Sequence, residues 1–195
     1  MARPRMDIPA HPFMISVMSR DRIGIVYQVS SAVNALGGNI ADLRQSVLRG
    51  YFAMILLAFF PSEVTRDLIR SRLSALRVGD GPALEVGVQE APDATVADGA
   101  GALQEAYVLT ASAEDRLGLV ATISAFCAEN DINILDLSTA IQEGTYTMIL
   151  LVDLSRCPDV GDIRRKLRRF GDETGLAVVL QHYDIFRVTN EVSLR

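Results

Sequence analysis

The sequence predicts an α+β protein: two ferredoxin-like βαββαβ units in tandem. Three observations carry that expectation. A motif set recurs at fixed spacing, each half follows the same order of elements, and a linker-like stretch separates the halves. Asp21-Arg22-Ile23-Gly24 returns 94 residues later as Asp115-Arg116-Leu117-Gly118. The same shift carries Asn39-Ile40 onto Asn133-Ile134, Asp42-Leu43 onto Asp136-Leu137, and Gly50 onto Gly144. It also carries Met54-Ile55-Leu56-Leu57 onto Met148-Ile149-Leu150-Leu151, with no gap from Phe13 to Phe60. Register kept over such a distance is the mark of a duplicated unit.

The first element of each copy is a short apolar strand, at 13–19 and 107–112. A loop then leads to a helix. Val26, Val29, Val33 and Leu36 recur at helical spacing in the first copy, as Val120, Ile123 and Cys127 do in the second. Gly37-Gly38 closes the first of these helices. Two strands follow, turning at Gly50 or Gly144 and rich in Val, Ile, Tyr and Phe. The second helix carries Leu68, Ile69, Leu73 and Leu76 in copy one, and Val160, Ile163, Leu167 and Phe170 in copy two. Closing strands are expected at 83–88 and 176–185. That order implies a ferredoxin-like sheet with both helices on one face.

The stretch 90–104 is rich in Ala, Gly and Asp and has no period, a linker composition. The expected division is a tail at 1–12, domains at 13–90 and 106–187 joined by a linker at 91–105, and a tail at 188–195. The third strand, 51–60, is apolar at both parities: Ala53, Ile55, Leu57 and Phe59 on one face, Phe52, Met54, Leu56 and Phe60 on the other. A wet sheet face alternates with polar residues. Packing of the open face across domains or chains is therefore expected, as an intramolecular pairing or a homo-oligomer.

Composition excludes several function classes. The 195 residues carry a formal net charge of −5, which disfavours direct nucleic-acid binding. Cys127 and Cys157 have neither metal-site nor disulfide spacing, which suits a reducing cytoplasm. The N-terminal stretch lacks a signal-peptide core, and the longest apolar run is about half a membrane span. No nucleophile elbow, P-loop, dinucleotide fingerprint or metal cluster is present, so neither catalysis nor a cofactor is expected.

Asp-Arg-x-Gly followed by Asn-Ile-x-Asp-Leu, and then Gly before a Met-Ile-Leu-Leu strand, resembles the ACT domain, twice over. The resemblance spans roughly 13–89 and 107–186. Copy two, ending Gln181-His182-Tyr183-Asp184-Ile185-Phe186, also resembles uncharacterised single-ACT proteins. The tandem form without an attached enzyme resembles the glycine cleavage system transcriptional repressor family. The resemblance implies a regulatory protein that senses an amino acid and acts through a protein partner. Ligand-independent adaptors and orphan regulatory halves of enzymes are the alternatives.

The residues suit such a ligand. Asp21 and Asp115 precede the first helix of each copy at an N-cap position. Gly24 and Gly118 open its first turn, where bare N–H groups suit a carboxylate. Asn39 and Asn133 donate and accept at the second strand's start, and Asp42 and Asp136 accept from an ammonium. Carried over from the resemblance, the site comprises Asp21, Gly24, Ile25, Asn39, Ile40 and Asp42, with Asp115, Gly118, Leu119, Asn133, Ile134 and Asp136. The alternative is structural: Asp caps, Gly relieves a turn, Asn ties a loop.

Elsewhere, Cys127 matches Val33 and reads as a buried small hydrophobe, and Cys157 as incidental. His182 and Asp184 share a face if both lie on the closing strand; a hydrogen-bonded strand histidine is expected over a metal or general-base role. The run 164–169, Arg-Arg-Lys-Leu-Arg-Arg, turns Leu167 inward. Its basic residues form a solvated face, with an acidic protein as the next reading.

Overall fold

The computed structural model describes residues 10–92, 106–114 and 117–190. The chain divides between residues 99 and 100 into two compact units, each with its own core. Most of the expected linker, 93–105, lies outside the described residues.

Unit one runs β1 (Ala10–Arg20), α1 (Ile25–Ala35), β2 (Asn39–Leu48), β3 (Tyr51–Pro61), α2 (Arg66–Ser74) and β4 (Glu85–Glu90). Its sheet has the order β2-β3-β1-β4 with every neighbouring pair antiparallel. Unit two repeats this as β5 (Ala106–Glu114), α3 (Leu119–Glu129), β6 (Asn133–Gln142), β7 (Thr145–Asp153), α4 (Val160–Thr174) and β8 (Ala177–His182), in the order β6-β7-β5-β8. A further helix, α5 (Tyr183–Asn190), follows β8. The fold is the tandem ferredoxin-like α+β architecture.

The parity of β3 is resolved by burial. Phe52, Met54, Leu56, Ala58 and Phe60 join a core with Ile25, Val29 and Val33 of α1 and Ile69 and Leu73 of α2. The other parity forms the open face, where Ile55 is 47% exposed and Tyr51 and Met18 similarly so. Both β-hairpins turn through two residues with positive φ, Arg49-Gly50 and Glu143-Gly144, the backbone that matches strand twist. α1 closes with Gly37 N–H on Asn34 and Gly38 N–H on Val33. The corresponding end of α3 places Asp131 at φ 55° and sends Ile132 N–H to Cys127. The same double closure is thus built without glycine.

Three expectations are corrected. β1 begins at Ala10, inside the stretch read as tail, and the Pro12 carbonyl accepts from Ala91 N–H. The core stripe of the first helices starts one residue earlier than expected: Ile25 and Leu119 are buried, whereas Val26 and Val120 are exposed. The last strand stops at His182 and the chain turns into α5, so Asp184 lies in a helix rather than two positions along a strand.

Candidate functional site

The β1–α1 loop carries the first half of the candidate set. Gly24 caps α1 at φ 101° and Gly118 caps α3 at φ 87°, a region costly to residues with a Cβ. Neither helix start receives a side-chain hydrogen bond. Asp21 is therefore not the cap expected of it; its backbone N–H instead donates to Gly50 O at 2.9 Å. Asp115 lies outside the described residues. Ile25 and Leu119 are only 2% and 3% exposed, so their side chains belong to the core and only their backbone faces the loop.

The intervening motif residue, Arg22, has a structural task. Its guanidinium donates to Ser19 Oγ at 2.8 Å, Arg20 O at 3.1 Å and Pro82 O at 2.6 Å, binding this loop to the segment before β4. Beside it the aliphatic residues Ile23 and Leu117 are fully exposed, at 101% and 102%. The repeat makes the two positions equivalent, and burial adds that both side chains are exposed.

The second half lies on edge strands β2 and β6. Asn39 and Asn133 are exposed at the strand starts, and Ile40 and Ile134 lean on the two cores. Each strand slips register between this Ile and the following Asp, at Ile40/Asp42 and Ile134/Asp136. The bulge turns Asp42 and Asp136 to the open face. Asp42 Oδ1 accepts from Leu43 N–H at 2.8 Å.

Within a unit the two halves are not brought together. Arg20 pairs with Tyr51, whereas Asp42 pairs with Leu57, six residues along β3. At about 3.3 Å per residue, roughly 20 Å separates the loop end of the sheet from Asp42. What Asp42 does approach is a shallow cavity of about 170 Å³, lined by Met14, Asp42, Leu43, Arg44, Ile55, Leu56 and Leu57. Asp42 and Arg44 both stand on the open face, one pleat apart, with Met14, Ile55 and Leu57 as apolar wall. Arg44 has no ion-pair or hydrogen-bond partner among the described residues. Sequence reasoning missed it because the copies differ there: the equivalent residue in copy two is Ser138.

The other candidates resolve into structure. Burial lifts the Cys127 thiol to about 11. Cys157 is also raised, by desolvation first and then by Asp131 and Asp153, and its Sγ donates to Asn130 O. His182 stacks edge-on against Tyr107 at 5.1 Å, and its Nδ1 lies 3.5 Å from Asp184 Oδ2. No group of three or more His, Cys, Asp or Glu able to hold a metal occurs among the described residues. None of the described helices is long and apolar enough to cross a membrane.

The ACT domain family matches residues 11–77 and 105–181, most of the chain and both copies. The chain belongs to the ACT domain family. ACT domains are regulatory modules that typically bind small effectors and oligomerise, and this chain carries two of them. Among curated proteins, a UPF0237 protein of Methanocaldococcus jannaschii is 40% identical over 86 residues, 44% of this chain and 96% of its own length. One from Methanopyrus kandleri matches to the same extent. A structure of unknown function from Galdieria sulphuraria superposes with TM-score 0.69 at 26% identity, covering 88% of this chain and 98% of its own. A structure provisionally assigned as a glycine cleavage system transcriptional repressor has the same tandem fold, with TM-score 0.61 at 17% identity over 89% and 97%.

Proposed function

We propose that this ACT protein is a non-catalytic cytoplasmic sensor of a small amino acid, acting through a protein partner in the control of amino-acid metabolism. The observation that carries the reading is the placement of Asp42 and unpartnered Arg44 side by side on β2 at the lining of the open-face cavity. An α-amino acid presents an ammonium and a carboxylate a few ångströms apart, and these side chains offer the complementary charges. Met14, Ile55 and Leu57 offer apolar surface to a short side chain, and about 170 Å³ suits a small one. Asn39 lies on the same edge strand as further donor and acceptor.

The bare helix starts at Gly24 and Gly118 are the second part of the proposal, as carboxylate-accepting ends presented to a ligand held by another ACT domain. The open face around Ile55, Tyr51 and Met18 is the surface through which we propose this chain associates with such a domain. Transcriptional control exerted through a protein contact is the output we propose, and the tandem fold shared with the repressor structure is consistent with it.

A thermal-shift screen of the amino acids on the full chain tests the reading. The cognate ligand at about 100 times its Kd should stabilise the chain by about 2.7 kcal/mol. Arg44→Ser, which installs the copy-two residue, should weaken binding at least ten-fold with the fold intact. A flat screen would overturn the amino-acid reading.

A further inference from the structure

The groove between α4 and β8 in copy two contributes no residue to the amino-acid pocket, and its helix differs in length and charge from α2 of copy one. Its volume is about 420 Å³, and Arg164 and Arg168 stand on its helix wall with Leu167, Leu176, Val178 and Leu180 beneath. Gly171 permits the close approach of helix to strand: a Cβ there would meet Leu176 O at 2.8 Å.

Charge on α4 is unevenly satisfied. Arg165 reaches Asp162 and Asp159, Lys166 reaches Asp162, and Arg169 reaches Glu173. Arg164 and Arg168 alone of the basic run have no ion-pair or hydrogen-bond partner among the described residues. Asp172 lines the same groove without pairing with either. Copy one has Arg70 and Ser74 at the equivalent positions, and α2 ends there, six residues shorter than α4. The two-arginine wall is therefore a property of copy two.

β8 is the edge strand of its sheet, hydrogen-bonded to β5 on one side and to no strand on the other among the described residues. Such an edge offers a row of N–H and C=O groups to an added strand. Val178 and Leu180 point to the helix side, opposite Ala111 and Leu109. Alternate residues of an added strand would face the same side, under Arg164 and Arg168. The spacings agree: residues four apart on a helix lie about 6 Å from each other, and residues two apart on a strand about 6.6 Å.

We propose that the α4–β8 groove of copy two binds an extended acidic segment of a protein partner. The segment adds as a strand to β8 and places two carboxylates, two residues apart, on Arg164 and Arg168. The edge backbone supplies sequence-independent affinity, and the arginine pair selects the Glu-x-Glu or Asp-x-Asp spacing. Copy one senses and copy two docks.

The test uses the full chain and a fluorescein-labelled peptide, Thr-Glu-Val-Glu-Val-Thr, with a control in which both Glu are Gln. Anisotropy should show binding of the acidic peptide, weakening as salt rises, and at least ten-fold weaker binding of the control. Amide resonances of 177–182 should shift on titration. Arg164→Glu with Arg168→Glu should lose the peptide at least ten-fold. Arg164→Gln with Arg168→Gln is the gentler variant, and a thermal melt of each confirms folding. Equal binding of both peptides, unchanged affinity in the folded double variants, or shifts confined to residues 42–57 would overturn the proposal. So would preference for a single-stranded oligonucleotide over the peptide. Amino-acid binding is read separately through Arg44→Ser, so either proposal can fail while the other stands.

Discussion

Gly118 shows how cleanly one residue can be interrogated. Its φ is 87° and, among the described residues, no atom beyond its chain neighbours lies within 4 Å of where a Cβ would stand, so a substitution there meets backbone strain rather than crowding. Gly118→Ala should cost about 1–2 kcal/mol in chemical denaturation of unit two. Asp131, held at φ 55° where α3 closes, is the converse, and Asp131→Gly should stabilise by about 0.5–1 kcal/mol. Cys127 provides a pH readout. Its thiol ionises at about 11 in the folded state, against 9.0 for the free group. The folded chain thus holds this proton more tightly than the unfolded one. The stability this contributes is complete below pH 9 and is lost as pH climbs from there to about 11. Cys127→Val, the residue of copy one, should flatten that part of the alkaline stability profile followed by circular dichroism. At this scale the duplication made Gly24 and Gly118 visible, because the sequence repeats them. It hid Arg44, because a residue that differs between copies leaves no trace in their alignment. The family resemblance named Ile25 and Leu119 for the ligand, and their side chains fill the cores, since a motif shows adjacency and not which way a side chain turns.

The second helices of the two copies are started by different chemistry, which separates their sensitivities. α2 is capped by Thr65, whose Oγ1 accepts from Leu68 N–H at 3.3 Å, and α4 by Asp159, whose Oδ1 accepts from Gly161 N–H at 2.7 Å. Either cap replaced by Ala should cost about 1 kcal/mol. In the first turn of α4 the Lys166 ammonium, bonded to Asp162 at 3.0 Å, holds that carboxyl below its ordinary value, with Arg165 adding to it. A depressed carboxylate stabilises above its unfolded value near 3.9 and ceases to do so as pH falls through its folded one. The difference in melting temperature between the parent and Asp162→Asn should be present at pH 6, fall as pH drops below the unfolded value, and shrink with added salt. A difference that stays constant as pH drops would remove the ion pair from the account. The hairpins and both pairs of packed helices were legible because two periods, 2 and 3.6, alternate in the order the fold requires. The end of β8 was not legible. The residues around His182, from Val178 to Val188, are apolar often enough to satisfy either period, and only the turn of the chain into α5 decides between them.

At the scale of the whole molecule, the two copies keep one architecture and, in the two proposals above, divide the chemistry. Each unit has a separate core that joins its own sheet to its own two helices. The distinguishing charges are then distributed without overlap. Arg44 stands on the open face of copy one where copy two has Ser138, and Arg168 stands over the edge strand of copy two where copy one has Ser74. A duplicated fold allows this, because residues off the buried parity change at little cost to stability while those on it do not. The consequence can be measured by exchanging charges between copies in the full chain. Arg44→Ser together with Ser138→Arg should abolish the amino-acid-induced thermal shift at copy one and leave the acidic-peptide affinity within two-fold. Arg164→Gln with Arg168→Gln should do the reverse. If either pair of changes weakens both ligands ten-fold or more, the sites are not separately housed, and the division of labour between the copies fails. Independent loss is the expected result, because the residues at stake, exposed or half-exposed, lie outside both hydrophobic cores, whose packing holds each unit together.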